Sequence, residues 1–85
     1  MKRLEVTTAA KLQVGDRFYM ANDKAKLVCV KVEHQKKQTS FQTYSHFYCY
    51  GSVMDHQRLT TAEKERNYKA MKADTIVVFL RQSKN

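Results

Sequence analysis

Residues 27–34 read LVCVKVEH, and residues 39–50 read TSFQTYSHFYCY. In the first stretch every second residue from 28 to 32 is valine, and this period of two is that of a β-strand with one buried face. The second stretch carries no charge and is rich in aromatic and β-branched residues, which β-strands favour. The short polar segment between them is typical of a turn, so the sequence predicts a β-hairpin.

A four-residue loop over residues 35–38 sets the predicted register of this hairpin. Val32 then lies opposite Phe41, and both share a face with Phe47. The same register pairs Val30 with Thr43, Lys31 with Gln42, Cys29 with Tyr44, Val28 with Ser45 and Leu27 with His46. The sequence therefore predicts a core face that carries the valines and phenylalanines. The even-numbered residues of the aromatic strand form the other face.

Two further strands are predicted from similar patterns elsewhere in the chain. Residues 12–20 indicate a turn at Gly15 that leads into a strand, because glycine tolerates turn conformations and apolar residues then alternate with Arg17 and Tyr19. Residues 75–81 are apolar on both faces, as expected for a central strand that is covered on both sides.

One helix is predicted late in the chain. Thr60 and Glu63 have the spacing of a capping box, in which a hydroxyl residue caps the helix three residues before a glutamate. The residues that follow are good helix formers, so we expect a helix or helical loop at about residues 61–72. Gly51 is expected to end the aromatic strand, and residues 53–54 to begin another short strand.

The predicted fold is mainly β with one short helix. Four or five antiparallel strands form a small curled sheet, and closure into an SH3-like or OB-like barrel removes the exposed strand edges. The segments LQVGDRF (12–18) and IVVFLR (76–81) resemble the first and last strands of small SH3-like barrels. This resemblance implies no functional residues, because the extra glycines of the RNA-binding barrels are absent. The 85 residues are expected to form a single domain, with loosely ordered tails at residues 1–10 and 82–85.

The charge of the chain favours a partner that is rich in phosphate. Sixteen Lys and Arg residues against eight Asp and Glu residues give a formal net charge of +8, which is typical of proteins that bind nucleic acid. The basic residues are scattered, and residues 38–54 carry no charge at all. A generally basic, well-solvated surface is therefore the alternative explanation of the charge.

The even-numbered residues of the aromatic strand form the candidate binding face. In the predicted register their rings lie beside lysines of the neighbouring strand and of the hairpin loop. Nucleic-acid bases stack on such rings, at about 1–3 kcal/mol for each base, while cations meet the phosphates. The predicted binding residues are Tyr44, His46, Tyr48, Tyr50, Lys31, Lys36, Lys37 and Arg58. Alternatively, the helix or barrel closure covers this face, or the face contacts a protein partner or a second copy of the chain.

The leading hypothesis is a non-enzymatic module that binds nucleic acid or another phosphate-rich ligand through this face. The alternative is a protein-interaction module that acts as an inhibitor or accessory protein of a phage or mobile element. A metal-free ribonuclease centred on His46 is a third hypothesis, since His, Tyr, Lys and Arg suffice for proton transfer and phosphate stabilisation. Small basic bacterial RNase toxins are similar in size and charge, but their helices come early in the chain. The sequence contains no glycine-rich phosphate loop, nucleophile elbow or pair of catalytic carboxylates.

The cysteine and histidine content argues against disulfides, metals and cofactors. The chain has two cysteines, and His46 and Cys49 point to opposite faces of a strand, so they cannot hold one ion together. We expect buried free thiols in a protein of the reducing cytoplasm. Residues 1–10 lack the apolar run of a secretory signal, and no segment reaches the ~18–20 apolar residues of a membrane helix.

Overall fold

The structure is a computed structural model that describes residues 1–33, 37–38, 43–44, 46–56 and 60–82. Its strands are β1 (Val6–Thr8), β2 (Asp16–Met20), β3 (Cys29–Val32), β4 (Lys37–Gln38), β5 (Thr43–Tyr44), β6 (His46–Tyr50), β7 (Lys69–Met71) and β8 (Ile76–Gln82). Its helices are a 3₁₀ helix (Ala9–Lys11), α1 (Gly51–His56) and α2 (Thr61–Asn67).

Six of the described strands form one antiparallel sheet in the order β1-β8-β2-β3-β6-β7, and β4 pairs with β5 in a separate two-stranded sheet. The mainly β fold with a short helix is therefore confirmed, with six strands in the main sheet rather than four or five. Within the described residues the edge strands β1 and β7 do not pair with each other, so the sheet is open. An SH3-like or OB-like barrel stays a prediction.

The main core lies on the face of the sheet that carries Phe18 and Cys29. Its buried members are Ala9, Leu12, Phe18, Cys29, Met71, Val77 and Phe79, with Met20 and Tyr48 packed against them. Met71 belongs to the edge strand β7, whereas Val77 belongs to β8 near the opposite edge. Because both residues contribute to one cluster, the sheet is curled around this core.

A second, smaller cluster lies on the opposite face. Val32, Phe47 and Cys49 are buried there, and Tyr68 and Ala70 pack against them. This is the face on which the sequence predicted the core, and Val32 and Phe47 are buried as expected. Strand β3 is covered on both faces, which explains why all of its residues are buried.

The pairing of β3 with β6 corrects the predicted register. Val32 lies opposite Phe47 rather than Phe41, a displacement of six residues along the second strand. An even displacement leaves every side chain on its predicted face, so both registers satisfy the apolar alternation equally. The predicted four-residue loop was wrong because β4 and β5 pair between β3 and β6 and lengthen the connection. Phe41 and residues 34–36 lie outside the described residues.

The helix predicted at residues 61–72 is confirmed only in its first part. The Thr60 hydroxyl caps α2 and accepts a hydrogen bond from the Glu63 backbone N–H (3.3 Å), as the capping box predicts. The helix ends at Asn67, and β7 follows it. The prediction was wrong for β7 because Met71 enters the main core, and this burial outweighs helix propensities that differ by less than about 0.7 kcal/mol per residue.

The short strand predicted at residues 53–54 is wrong, because these residues belong to α1. The aromatic strand ends before Gly51, as the sequence predicts. The Gly51 N–H donates to the Val28 carbonyl oxygen (2.8 Å), which ties the beginning of α1 to the residue directly before β3. Helix α1 then packs on β3 and β6.

Part of the N-terminal segment joins the main sheet. Strand β1 pairs with residues 76–78 of β8, and Ala9 is fully buried. Thr7 is also buried. The loosely ordered tails at residues 1–10 and 82–85 stay a prediction. Gln82 ends β8, and residues 83–85 lie outside the described residues.

Candidate functional site

Arg17 and Arg81 face each other directly on the neighbouring strands β2 and β8. The register shifts between Arg17 and Phe18, because Phe18 pairs with Phe79 and leaves Leu80 as an extra residue of β8. Such a bulge bends a strand and redirects the side chains beside it. The pairing therefore brings two cationic residues together at one end of the β2–β8 pair.

Arg3, Arg17 and Arg81 line a cleft of about 190 Å³, which we call the arginine cleft. Val28 and Leu80 are its other lining residues and form apolar walls. Among the residues that the structure describes, no carboxylate lines this cleft. Like charges directly opposite each other on neighbouring strands are unfavourable, and an anion between Arg17 and Arg81 would attract both of them.

The N-terminal turn brings Arg3 to the cleft. The Leu4 N–H donates to the Phe79 carbonyl oxygen (2.6 Å), and the Phe79 N–H donates to the Glu5 carbonyl oxygen (2.9 Å). Leu4 has a φ of 64°, in the left-handed region, and turns the chain between Arg3 and β1. These bonds hold the segment before β1 against the part of β8 that leads to Arg81.

Arg17 lies at the beginning of α1, where Gly51 leaves room for its guanidinium. An ideal Cβ atom on Gly51 would stand 2.9 Å from Arg17 Nη1 and 3.4 Å from Val28 Cγ1. Arg17 is half-buried, and its charge opposes the rise in the pKa of the Cys49 thiol, which burial raises to about 11. The guanidinium is therefore partly desolvated, and its attraction for an anion is stronger than it would be in open water.

Lys31 does not lie on the surface to which the sequence assigned it. Its side chain is 7% exposed, and its Nζ donates hydrogen bonds to the backbone carbonyl oxygens of Ala9 (2.9 Å) and Leu12 (2.6 Å). Burial lowers the pKa of Lys31, while the charge of Asp16 opposes that change. Lys31 is buried because the curled sheet is covered on both faces of β3. Lys31 instead ties the 3₁₀ helix to the sheet.

The described aromatic residues of the predicted binding face are partly covered by the main core. Tyr48 is half-buried and contacts Phe18 edge-to-face, with ring centroids 6.1 Å apart, and burial raises its pKa. Tyr50 contacts Tyr48 edge-to-face at 6.4 Å and is more exposed. His46 is half-buried, and burial together with the charge of Lys31 lowers its pKa. These rings line the inner, curled face of the sheet.

The other predicted binding residues are not brought together with these. The backbones of Lys37 and Tyr44 pair in the β4–β5 sheet, which is separate from the main sheet. Lys36 and Arg58 lie outside the described residues. The described structure thus distributes the predicted site over the core, the smaller sheet and the inner face of β6.

The arginine cleft was missed by sequence reasoning because its members come from opposite ends of the chain. Arg3 precedes β1, Arg17 is in β2, and Arg81 is near the end of β8. The alternation of β2 indicates that Arg17 and Phe18 lie on opposite faces of the sheet. No local pattern shows which strand pairs with β2. Only the pairing of β2 with β8 brings these side chains together.

Comparisons with protein-family models, with curated proteins and with solved structures gave no match to this chain. Within the described part of the chain, no helix is long and apolar enough to cross a membrane. The function is therefore inferred from the chemistry of the arginine cleft.

Proposed function

We propose that this protein is a non-enzymatic binding module for a phosphate-bearing ligand, with nucleic acid as the ligand class that its charge favours. The observation that carries this proposal is the convergence of Arg3, Arg17 and Arg81 on one cleft. The net charge of +8 supports the same ligand class, because a basic surface attracts a polyanion from a distance.

Arginine is well suited to this task. Its planar guanidinium stays charged at physiological pH and presents its N–H donors in a fork that matches the oxygens of a phosphate. Three such groups around one cleft can donate to different oxygens of the same phosphate. Arg3 and Arg81 are exposed, whereas Arg17 is half-buried, so burial strengthens the charge-assisted hydrogen bonds of Arg17 most.

A neighbouring aromatic residue supports nucleic acid in preference to inorganic phosphate. Tyr19 lies two residues from Arg17 on the same face of β2 and is partly exposed. A base that stacks on an aromatic side chain contributes about 1–3 kcal/mol to binding. A strand with one phosphate in the arginine cleft could therefore place a neighbouring base against Tyr19.

Fluorescence anisotropy with labelled single- and double-stranded oligonucleotides tests this proposal. The wild-type protein is expected to bind at low salt and to lose affinity between about 50 and 200 mM salt, because binding releases counterions. Arg81→Gln should weaken binding by about tenfold or more, since it removes a charged hydrogen-bond donor.

Lys72→Gln is the matched control, because it removes the same charge from an exposed residue directly after the edge strand β7. This variant should change the affinity little. Absence of oligonucleotide binding at low salt, or equal losses of affinity in Arg81→Gln and Lys72→Gln, would overturn the proposal.

A protein-interaction module is the second candidate, and the β1 edge of the main sheet favours it. Val6 and Ile76 lie on the same face of the paired strands β1 and β8 and are 65% and 50% exposed. Exposed apolar side chains beside an edge strand are typical of protein contacts. Light scattering distinguishes the candidates: a stable dimer that Val6→Glu disrupts, together with no oligonucleotide binding, would favour this one.

A further inference from the structure

A second cavity, of about 510 Å³, adjoins the arginine cleft. Arg3 and Leu80 line both spaces, so the two meet where the N-terminal turn crosses the end of β8. The polar lining of the second cavity includes Gln13, Asp16 and Gln82. We call this space the amide cavity, after the side chains of its two glutamines.

The amide cavity carries both hydrogen-bond donors and acceptors. Gln82 Nε2 donates to Gln13 Oε1 (3.3 Å), so the two amides orient each other. Among the described residues, neither Gln82 Oε1 nor Gln13 Nε2 has a further partner. Asp16 is 4% exposed, and its Oδ2 is held by the backbone N–H of Gln13 (2.8 Å). Both glutamine side chains are exposed, and their amides offer donors and acceptors of the kind that bind the polar edge of a nucleobase.

The volumes of the arginine cleft and the amide cavity indicate which part of a ligand each can hold. The arginine cleft, at about 190 Å³, has room for a phosphate but not for a nucleoside. The amide cavity falls within the range of about 300–1,000 Å³ that is usual for small-molecule sites. Met1, which is 54% exposed, and Leu80 add an apolar surface to the amide cavity, against which a flat base can pack.

The charges that line the two spaces differ. The lining of the amide cavity is mixed, with the buried Asp16 beside the exposed Arg3 and Lys11. The described lining of the arginine cleft holds three cations and no carboxylate. A phosphate is therefore attracted more strongly to the arginine cleft than to the amide cavity.

We propose that the ligand is a nucleoside phosphate, whose phosphate binds in the arginine cleft and whose base binds in the amide cavity. This inference rests on the proposed function and specifies its ligand. Two sources share this chemistry, a free nucleotide and the phosphorylated end of a nucleic-acid strand. Arg3 lines both spaces and therefore lies where the sugar would join the phosphate to the base.

Isothermal titration calorimetry on the whole chain tests the inference. The probes are the ribonucleoside 5′-monophosphates, ribose 5-phosphate, inorganic phosphate, and a short oligonucleotide with and without a 5′-phosphate. At least one nucleotide, or the phosphorylated oligonucleotide, is expected to bind about tenfold more tightly than ribose 5-phosphate. Tighter binding of the mononucleotide identifies a free nucleotide as the source, and tighter binding of the phosphorylated oligonucleotide identifies a strand end.

Gln82→Ala separates this inference from the proposed function. The variant should bind nucleotide and ribose 5-phosphate with similar affinity, since only contacts to the base are lost, whereas Arg81→Gln should weaken both. Gln13→Ala is the second variant if Gln82→Ala does not fold. Lys72→Gln controls for the charge that Arg81→Gln removes.

The possible outcomes distinguish the two proposals. If ribose 5-phosphate binds as tightly as every nucleotide and as the phosphorylated oligonucleotide, or if both glutamine variants keep the preference for nucleotide, the inference is wrong and the proposed function stands. If no phosphate compound and no oligonucleotide binds the wild-type protein, both are wrong.

Discussion

A Cβ atom on Gly51 would lie 2.9 Å from Nη1 of Arg17. The first residue of α1 is therefore in close contact with a guanidinium group that lines the arginine cleft. Gly51 is not among the glycines with positive φ, so its backbone accepts other residues. The missing side chain at this position makes room for Arg17.

Gly51→Ala is expected to weaken oligonucleotide binding while the free energy of unfolding stays close to that of the wild type. The added methyl group displaces the flexible end of Arg17 and crowds Val28 Cγ1 at 3.4 Å. Alanine also has less conformational freedom than glycine in the unfolded chain, which is worth about 0.4–1 kcal/mol and offsets the crowding. Anisotropy and urea unfolding measure the two effects. Unchanged affinity would show that the position of Arg17 does not matter for binding.

Arg81→Gln is expected to raise the free energy of unfolding of the unliganded protein by about 0.2–1 kcal/mol, because it removes a like charge directly opposite Arg17. The gain should shrink at high salt, which screens charges at the surface. Urea unfolding at two salt concentrations measures it, with Lys72→Gln as the control. A destabilised Arg81→Gln would mean that repulsion between the arginines is not the dominant interaction of Arg81.

Lys31→Met is expected to lower the free energy of unfolding by about 1–3 kcal/mol or more, because methionine keeps the aliphatic stem but cannot donate to the buried carbonyl oxygens of Ala9 and Leu12. Phosphate binding by the folded variant should not change, since Lys31 does not line the arginine cleft. Urea unfolding provides the measurement, and Lys24→Met, at an exposed position, is the control. Equal stability of Lys31→Met and the wild type would contradict the structural role of Lys31.

His46 is expected to make the protein less stable in acid. Burial, and then the charge of Lys31, lower the pKa of His46 below its ordinary value of 6.5, so the folded state favours the neutral ring. The unfolded state then binds more protons, and the contribution present above pH 6.5 is lost as the pH falls through the lowered pKa. His46→Gln should show a smaller loss over that range in urea unfolding. An identical pH dependence in both proteins would contradict this assignment.

The two cysteines are expected to resist thiol reagents in the folded protein and to weaken it in alkali. Burial raises the pKa of the Cys29 and Cys49 thiols from 9.0 to about 11, so at pH 9 to 11 the unfolded chain loses protons that the folded chain keeps. Stability is therefore fully present below pH 9 and falls as the pH rises towards 11. Lys31, whose pKa is lowered, contributes with the opposite sign in the alkaline range.

The kinetics of a disulfide reagent at pH 8 check this prediction. Both thiols should react only as fast as the protein unfolds, and Cys29→Ala and Cys49→Ala assign the rate of each. Rapid labelling of the folded protein at either position would show that its thiol is accessible.

Structural features that depend on neighbouring residues in the chain were predicted correctly. Features that depend on contacts between distant residues were not. The alternation of residues 28–32 and the spacing of Thr60 and Glu63 depend only on neighbours in the chain, and the structure contains the corresponding strand and helix cap. Residues 69–71 were predicted as helix because local propensity favours one. The burial of Met71 in the main core made them a strand, and that burial depends on residues far away in the sequence.

The candidate site also combines features that the sequence shows with features that depend on long-range contacts. Charge and alternation were visible in the sequence, but the position of each cation was not. Lys31 was predicted on the surface because alternation defines two faces without showing that a curled sheet covers both of them. The arginine cleft was not predicted because its lining depends on the neighbour of β2 in the sheet.

The sequence by itself determined the main strands, the faces of the central ones and the excess of positive charge. Only the tertiary structure decided which strands pair and which cations meet. The period of two is satisfied by any even displacement, so Val32 could face Phe41 or Phe47 with the same side chains buried, and only the packing of the whole sheet selects Phe47. Arg17 and Arg81 interact because β2 lies beside β8, and the energy of charged groups depends on their distance in space.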